Sequence, residues 1–169
     1  FHIKNGGVSR NEKFKYFVNK ILNIKNDDLI NKLIFEYSEN IYNSLLECEV
    51  ADCLKPLQKK YNSIDWFVLT GGNENEVKKI FLKKKITYFK TENIFGSPKS
   101  KYDNFKILKH KNLIKLPAIF FGDSEYDYKF SFDNKLDFIF INGWTEFKNW
   151  NSFCTKNKIK SIKAICELI

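Results

Sequence analysis

The stretch Pro117-Ala-Ile-Phe-Phe-Gly-Asp-Ser-Glu-Tyr-Asp127 decides how the rest of the chain is read. Four apolar residues, Ala118 to Phe121, run into Gly122 and then into Asp123, with a second acid at Asp127. A short continuous apolar run bounded by Pro and Gly predicts a strand buried on both faces. Gly122 permits a sharp turn, which presents Asp123 just past the strand's carboxyl end. In open α/β sheets that is where ligands bind. Asp127, four residues on, faces back toward Asp123 from the first turn of the following helix. Two carboxylates converging at a strand end suit a hard cation such as Mg²⁺, which takes oxygen ligands and often needs only one or two from the protein. The competing reading makes Asp123 an ordinary helix N-cap.

The chain of 169 residues accommodates one domain with a modest appendage, and 43% hydrophobic residues suffice to build its core. The net charge of +9 is carried almost wholly by Lys, with Arg10 the only arginine. A dedicated nucleic-acid binder clusters Arg as well, because the planar guanidinium reads phosphates and bases bidentately. No nucleic-acid partner is therefore expected. Cys48, Cys53, Cys154 and Cys166 show no C-x-x-C spacing, and His2 and His110 stand alone, so no zinc site is expected either. Free cysteines in a reducing compartment are the default expectation. No apolar stretch approaches the length of a membrane span, and no signal-peptide pattern is present. The expectation is a cytoplasmic protein with no membrane partner. The sequence starts at Phe1 and contains no methionine, which leads us to expect the natural N-terminus upstream of it.

Along the chain, Gly6-Gly7 reads as a turn. Ser9 with Glu12 matches a capping box that opens a helix near Arg10. Phe14, Phe17, Val18, Ile21 and Leu22 form one apolar stripe on it. Asp27 or Asp28 can cap a second helix carrying Leu29, Leu33, Tyr37, Ile41 and Leu45. The two make a small helical subdomain over roughly residues 9–50. From Val50 the pattern changes. A helix over 51–61 with Pro56 in its first turn leads to the strand Trp66-Phe-Val-Leu69, ending in Thr70-Gly71-Gly72. A helix over 74–85 follows, then a strand within 86–95, a Gly96-Ser-Pro98 turn and a helix from Lys101. After the opening stretch come a helix over 124–132, a strand over 137–143, a helical region around Phe147, Trp150 and Phe153, and a last segment over 159–169. Strands and helices alternating at this spacing predict a doubly wound, Rossmann-like parallel sheet. Right-handed connections then leave the strands' carboxyl ends, with Thr70, Lys101 and Asp123, along one rim.

A strand ending in Thr70, then Lys101 after a turn, then Gly122-Asp-Ser-x-x-Asp127 resembles the haloacid dehalogenase-like hydrolase superfamily, whose members are mostly Mg²⁺-dependent phosphatases. The resemblance implies that Thr70 hydrogen-bonds a phosphoryl oxygen, that Lys101 offsets negative charge, and that Asp123 and Asp127 serve the metal. Gly71, beside Thr70, and Arg10 are candidate substrate contacts. Residues 1–50 look like a helical cap and residues 51–169 like the family's α/β core. The substrate class implied is a small phosphorylated metabolite. The physics agrees, because phosphoryl transfer asks the protein mainly for positioning and for stabilisation of charge on the equatorial oxygens.

The chain departs from the family at the first motif, an Asp-x-Asp at the end of the first core strand that supplies the nucleophile. Nothing here matches it, and Asp27-Asp28 lies on a helix start. The resemblance implies that the missing strand is central, flanked by the strands 66–69 and 118–121, and that its loss leaves two open edges. Two functions follow from this. The parent protein is a phosphohydrolase of which this chain is a truncated form, inactive alone, or the chain is a non-catalytic remnant acting as a binding or structural module. Retention of Thr70, Lys101, Asp123 and Asp127 favours the first.

Overall fold

In the computed structural model the described residues are 5–169, so His2 lies outside them. Helix α1 (Arg10–Tyr16) starts where the sequence places it, with the Ser9 hydroxyl accepting from the Glu12 N–H. It continues as a π-helical turn, Phe17–Ile21, instead of a longer α-helix. Of the expected stripe, Val18 is fully buried, whereas Phe17, Ile21 and Leu22 stay exposed. Helix α2 (Asp27–Glu47) is capped by Asn26, whose side chain accepts from the Leu29 N–H. Asp27 and Asp28 sit in its first turn, where their charge favours the helix dipole.

Helix α3 (Leu54–Lys60) carries Pro56 in its first turn, where the missing N–H costs nothing. Strand β1 (Val68–Asn73) leads into α4 (Glu74–Lys83), and β2 (Ile94–Ser97) into α5 (Lys101–His110). Strand β3 (Ile119–Gly122) leads into α6 (Glu125–Asp133), and β4 (Asp137–Ile141) into α7 (Trp150–Lys156). Strand β5 (Lys160–Ile162) and a 3₁₀ turn over Ile165–Leu168 end the chain. Each of the first four strands is thus followed by a helix, and every strand pairing is parallel. This is the α/β, Rossmann-like alternation expected from the sequence.

The boundaries of β1 and β2 differ from expectation. Trp66 and Phe67 precede β1, which instead runs through Thr70 to Asn73 with an irregular register after Leu69. The strand expected within 86–95 is confined to Ile94–Ser97. Ile86 and Phe89, the buried pair upstream of it, lie three residues apart. That is not the period of two that a strand requires.

Among the described residues the strands form two sheets, β1–β2 and β3–β4–β5. Contacts divide the chain the same way. The β1 unit comprises Val8–Glu49 and Trp66–Asn104, and the β3 unit comprises Val50–Asp65, Phe105–Ile169 and the entry segment up to Gly7. In the β1 unit, α2 packs on α4 and α1 on β1, and Ile30, Ile80, Phe89 and Ile94 are buried.

The core of the β3 unit is aromatic. Phe105, Phe130 and Phe140 are almost completely buried, with Phe130 meeting Phe105 edge-on at 5.4 Å and Phe120 at 5.1 Å. Burying one such ring stabilises by about 1.5–3 kcal/mol. Strand burial follows position in the sheet. In β4, flanked by β3 and β5, Ile139 to Ile141 are buried. In β3, which pairs only with β4 among the described residues, no residue is fully buried, and Ile119 is 56% exposed. The expectation of a strand buried on both faces is corrected accordingly: the apolar run is a strand, but a half-exposed one that lies at the edge of its sheet among the described residues.

The cysteines are a second correction. Cys53 and Cys166 form a disulfide, leaving Cys48 and Cys154 as free thiols. Sequence spacing could not reveal a pair 113 residues apart. The pairing removes one of the grounds for expecting a reducing compartment. Among the described residues no helix is long and apolar enough to cross a membrane.

Candidate active site

The loop after β3 is built around Gly122. A Cβ at this position would stand 2.8 Å from the Asp127 Oδ2 and 2.7 Å from its Cγ, so only glycine lets the buried Asp127 close onto the strand end. The Asp127 carboxylate accepts from the Ser124 hydroxyl at 2.8 Å and from the Asp123 N–H at 3.3 Å. In return Ser124 Oγ accepts from the Asp127 N–H at 3.2 Å. The helix N-cap is therefore Ser124, not Asp123. Asp123 stands one residue before that cap and is exposed, whereas Asp127 is 3% exposed. It is the Asp123 backbone N–H that meets the Asp127 carboxylate, and the two acids lie in different environments.

Two further segments of the β3 unit lean on this loop. Gly7, at φ +79°, approaches so closely that a Cβ there would meet the Ser124 Oγ at 2.7 Å. Thr145, in the loop after β4, donates its hydroxyl proton to the Asp123 carbonyl. The Gly6-Gly7 pair was legible as a turn but not as a packing partner. Thr145 carries no sequence signal. Ser124-x-x-Asp127 does carry one, since a Ser followed three residues later by an acid is a capping signature.

The donor set can be tested against a metal from its chemistry. Asp123 and Asp127 offer only carboxylate oxygen, and no group of three or more His, Cys, Asp or Glu occurs among the described residues. Carboxylate oxygen is the donor type Mg²⁺ takes, through one or two protein side chains with waters and substrate phosphate filling the remaining positions. Asp123 is the exposed carboxylate that would hold it, and Asp127 orients the Asp123 loop.

The β1 unit holds the other candidates. Thr70 lies just past the last regular pair of β1 and β2, and its hydroxyl oxygen accepts from the Gly72 N–H at 3.0 Å. That bond fixes the side chain and leaves its proton for donation. Gly71 sits between them on the same irregular segment. Gly96, near the end of β2, presses on this segment, and a Cβ there would lie 2.6 Å from the Gly72 carbonyl oxygen and 2.9 Å from the Glu74 nitrogen. Asn104 donates to the Gly96 carbonyl at 3.0 Å, tying the first turn of α5 to the end of β2. Lys101 opens that turn and is 7% exposed.

Glu74, at the start of α4, joins these loops. Its carboxylate accepts from the Gly96 N–H at 3.0 Å and from the Lys78 ammonium at 2.6 Å. Burial pushes its pKa upward, but the hydrogen bonds from Lys78 and Gly96, with the charges of Lys78 and Lys99, outweigh burial and hold it below the ordinary 4.5. Ser97, at the end of β2, is 1% exposed, and its hydroxyl has no hydrogen-bond partner among the described residues. Neither residue was singled out from the sequence.

Arg10 donates to Ser38 at 2.6 Å and to Glu76 at 2.9 Å, with its guanidinium 4.6 Å above the Tyr37 ring. These contacts tie α1 to α2 and α4. The structure thus brings Asp123 to Asp127 in one unit and links the Thr70 and Lys101 loops through Gly96 in the other. Asp123 follows the carboxyl end of β3, Lys101 opens the helix after β2, and Thr70 lies within β1 past its last regular pair.

No family model matches the chain, and no curated protein does. Among solved structures, a phosphoserine phosphohydrolase-like protein from Francisella tularensis subsp. tularensis SCHU S4 matches with a TM-score of 0.57 and 18% identity, over 94% of this chain and 82% of that one. At this identity the likeness establishes a shared fold.

Two outcomes are expected from the site's geometry. Gly122→Ala should lower stability by about 1–3 kcal/mol, as for other forced overpacking, read from chemical denaturation; an unchanged midpoint would remove the clamp from the account. Glu74, with its pKa depressed on folding, stabilises the native state above the ordinary value, and this contribution is lost as pH falls through the folded value. Below pH 4.5, wild type should therefore lose stability more steeply than Glu74→Gln, in denaturation midpoints measured against pH.

Proposed function

We propose that this chain is part of a haloacid dehalogenase-like phosphohydrolase that acts on a small phosphorylated metabolite with the help of Mg²⁺. The observation that carries this reading is the placement of the polar groups. Asp123 leaves the carboxyl end of β3 on a loop clamped by Asp127 and Ser124, while Thr70 and Lys101 follow the regular ladder of β1 and β2. The fold shared with a phosphoserine phosphohydrolase-like protein supports a phosphomonoester as the substrate class.

In this reading the Thr70 hydroxyl donates to a phosphoryl oxygen, and the backbone at Gly71 lies alongside it. The Lys101 ammonium, held at a helix start, offsets the negative charge of the phosphoryl group. Asp123 holds Mg²⁺, with Asp127 positioning it, and the ion's contribution when bound is to neutralise charge on the phosphoryl oxygens. The helices of residues 1–50 serve as the cap on a core formed by residues 51–169. Arg10 contributes by fixing α1 against α4 through Glu76, and a direct substrate contact from it remains a secondary part of the proposal.

We further read this chain as lacking the strand that bears the family's nucleophilic aspartate, through which an aspartyl-phosphate intermediate would form. The support is structural. Among the described residues β1 pairs only with β2 and β3 only with β4, and apolar β3 is left half-exposed. An apolar strand with an open edge favours a further strand as its partner.

The test uses the parent protein with its upstream segment, assayed for phosphate release from phosphoserine and a sugar phosphate, with and without Mg²⁺. Metal-dependent release is expected, with Asp123→Asn and Lys101→Ala each lowering kcat by about 100-fold or more, the scale of losing one charge-stabilising group. Unchanged turnover in Asp123→Asn would refute the metal role. No release from the parent protein would leave the non-catalytic binding module as the better reading.

A further inference from the structure

The disulfide lies at one end of a continuous set of contacts that finishes at Asp123. Cys53 precedes α3 with its backbone in the left-handed region, φ 62°, and is bonded to Cys166 in the closing 3₁₀ turn. Helix α3 packs on that turn, Leu57 and Ile165 are buried, and Lys60 donates to the Ile169 carbonyl at 3.0 Å. From the same turn, the Glu167 carboxylate accepts from the N–H groups of Lys163 and Ala164 at 2.6 and 3.1 Å. The Lys163 carbonyl, fixed in this way, lies hard against Gly143, where a Cβ would collide with it. One residue earlier, the Asn142 N–H donates to the Ile162 carbonyl at 2.8 Å. Two residues later, Thr145 donates to the Asp123 carbonyl, and its oxygen accepts from the Phe147 N–H at 3.1 Å.

We propose that the Cys53–Cys166 disulfide is a redox-sensitive brace for the Asp123 loop, closed in an oxidising compartment and released by reduction. Closed, it fastens the C-terminal turn to α3. The turn holds Lys163, Lys163 confines Gly143, and the loop that follows holds Asp123 through Thr145. Cys53 adopts its left-handed backbone while tied to Cys166, and a non-glycine residue in that region persists only where its surroundings over-determine it.

Opening needs a dithiol reductant. Its thiolate attacks one sulfur of the bridge, the S–S bond breaks, and a mixed disulfide forms. The reductant's second thiol then displaces the protein sulfur, so that two cysteine thiols and one oxidised reductant result. Closing reverses these steps, with a small-molecule or protein disulfide as the oxidant. Cys166 is exposed and open to attack, whereas the free Cys154 is buried and takes no part.

The brace does not depend on the phosphatase reading, and its test measures no activity. The full chain, produced by an oxidising secretory route, is alkylated after denaturation with and without dithiothreitol. The folded protein is then followed by hydrogen exchange and thermal melting in both redox states. Two alkylated cysteines without reductant and four with it are expected, with a Cys53–Cys166 cross-linked peptide in the unreduced digest. Reduction should lower Tm by about 5–15 °C, the range for a structural disulfide in a chain of this size. It should also speed amide exchange at residues 122–124 and 143–147 by about 10-fold or more. Cys53→Ser and Cys166→Ser should reproduce the reduced protein and ignore dithiothreitol. Should these variants fail to fold, reversible reduction and reoxidation of the folded wild type gives the same comparison. Four alkylated cysteines before reduction would overturn the brace, as would unchanged exchange in both segments after it.

Discussion

Asp127 turns its buried carboxylate onto the Asp123 N–H and the Ser124 hydroxyl, and the position of Asp123 follows from that contact. Its requirements reach into the surrounding sequence. Residue 122 must lack a side chain, because a Cβ would occupy the space of the carboxylate. Residue 124 must carry a hydroxyl that both donates to Asp127 and caps its helix. Gly7 must leave room beside the same Ser124. A buried carboxylate with three such neighbours is expensive to disturb, which keeps the exposed Asp123 in one place. A strand end arranged this way offers one charged group at a defined position, as chemistry that depends on positioning demands.

The sheets place the candidate groups by the same logic. Parallel pairing directs the carboxyl ends of neighbouring strands to one side, so β1 and β2 present Thr70 and Lys101 on one side of their sheet, and β3 presents Asp123 at the corresponding end of its own. The contrast between buried β4 and half-exposed β3 is what sheet position dictates, since β4 has a neighbour on both edges. An apolar edge left open is unfavourable in water. The proposed additional strand would resolve that conflict.

Much of this could be read from the residues, and the limits have physical reasons. Ala118 to Phe121 and Asp137 to Ile141 declare themselves as strands because apolar runs of four or five leave few alternatives. Ser9 and Ser124 mark helix starts through local capping chemistry. Asp123 and Asp127 are legible as a pair because one helical turn separates them. What could not be read depends on contacts distant in sequence. The Cys53–Cys166 bridge, the approach of Gly7 to Ser124, and Thr145 on the Asp123 carbonyl all join residues that no local pattern links. The burial of β3 is hidden for the same reason, because an apolar run does not disclose how many neighbours its strand will have. The irregular chain between Lys85 and Asn93 resembles a strand in sequence because its aromatic and β-branched residues have high strand propensity. Tertiary packing places them otherwise.

The proposal that Asp123 is the carboxylate for a hard cation is open to one direct measurement. Amide resonances of the isotope-labelled chain can be followed while Mn²⁺, which shares the oxygen preference of Mg²⁺, is added as a paramagnetic probe. The account expects selective broadening at Gly122 to Asp127, reversed by excess Mg²⁺ and absent in Asp123→Asn. Uniform broadening, or the same selective broadening in Asp123→Asn, would contradict it.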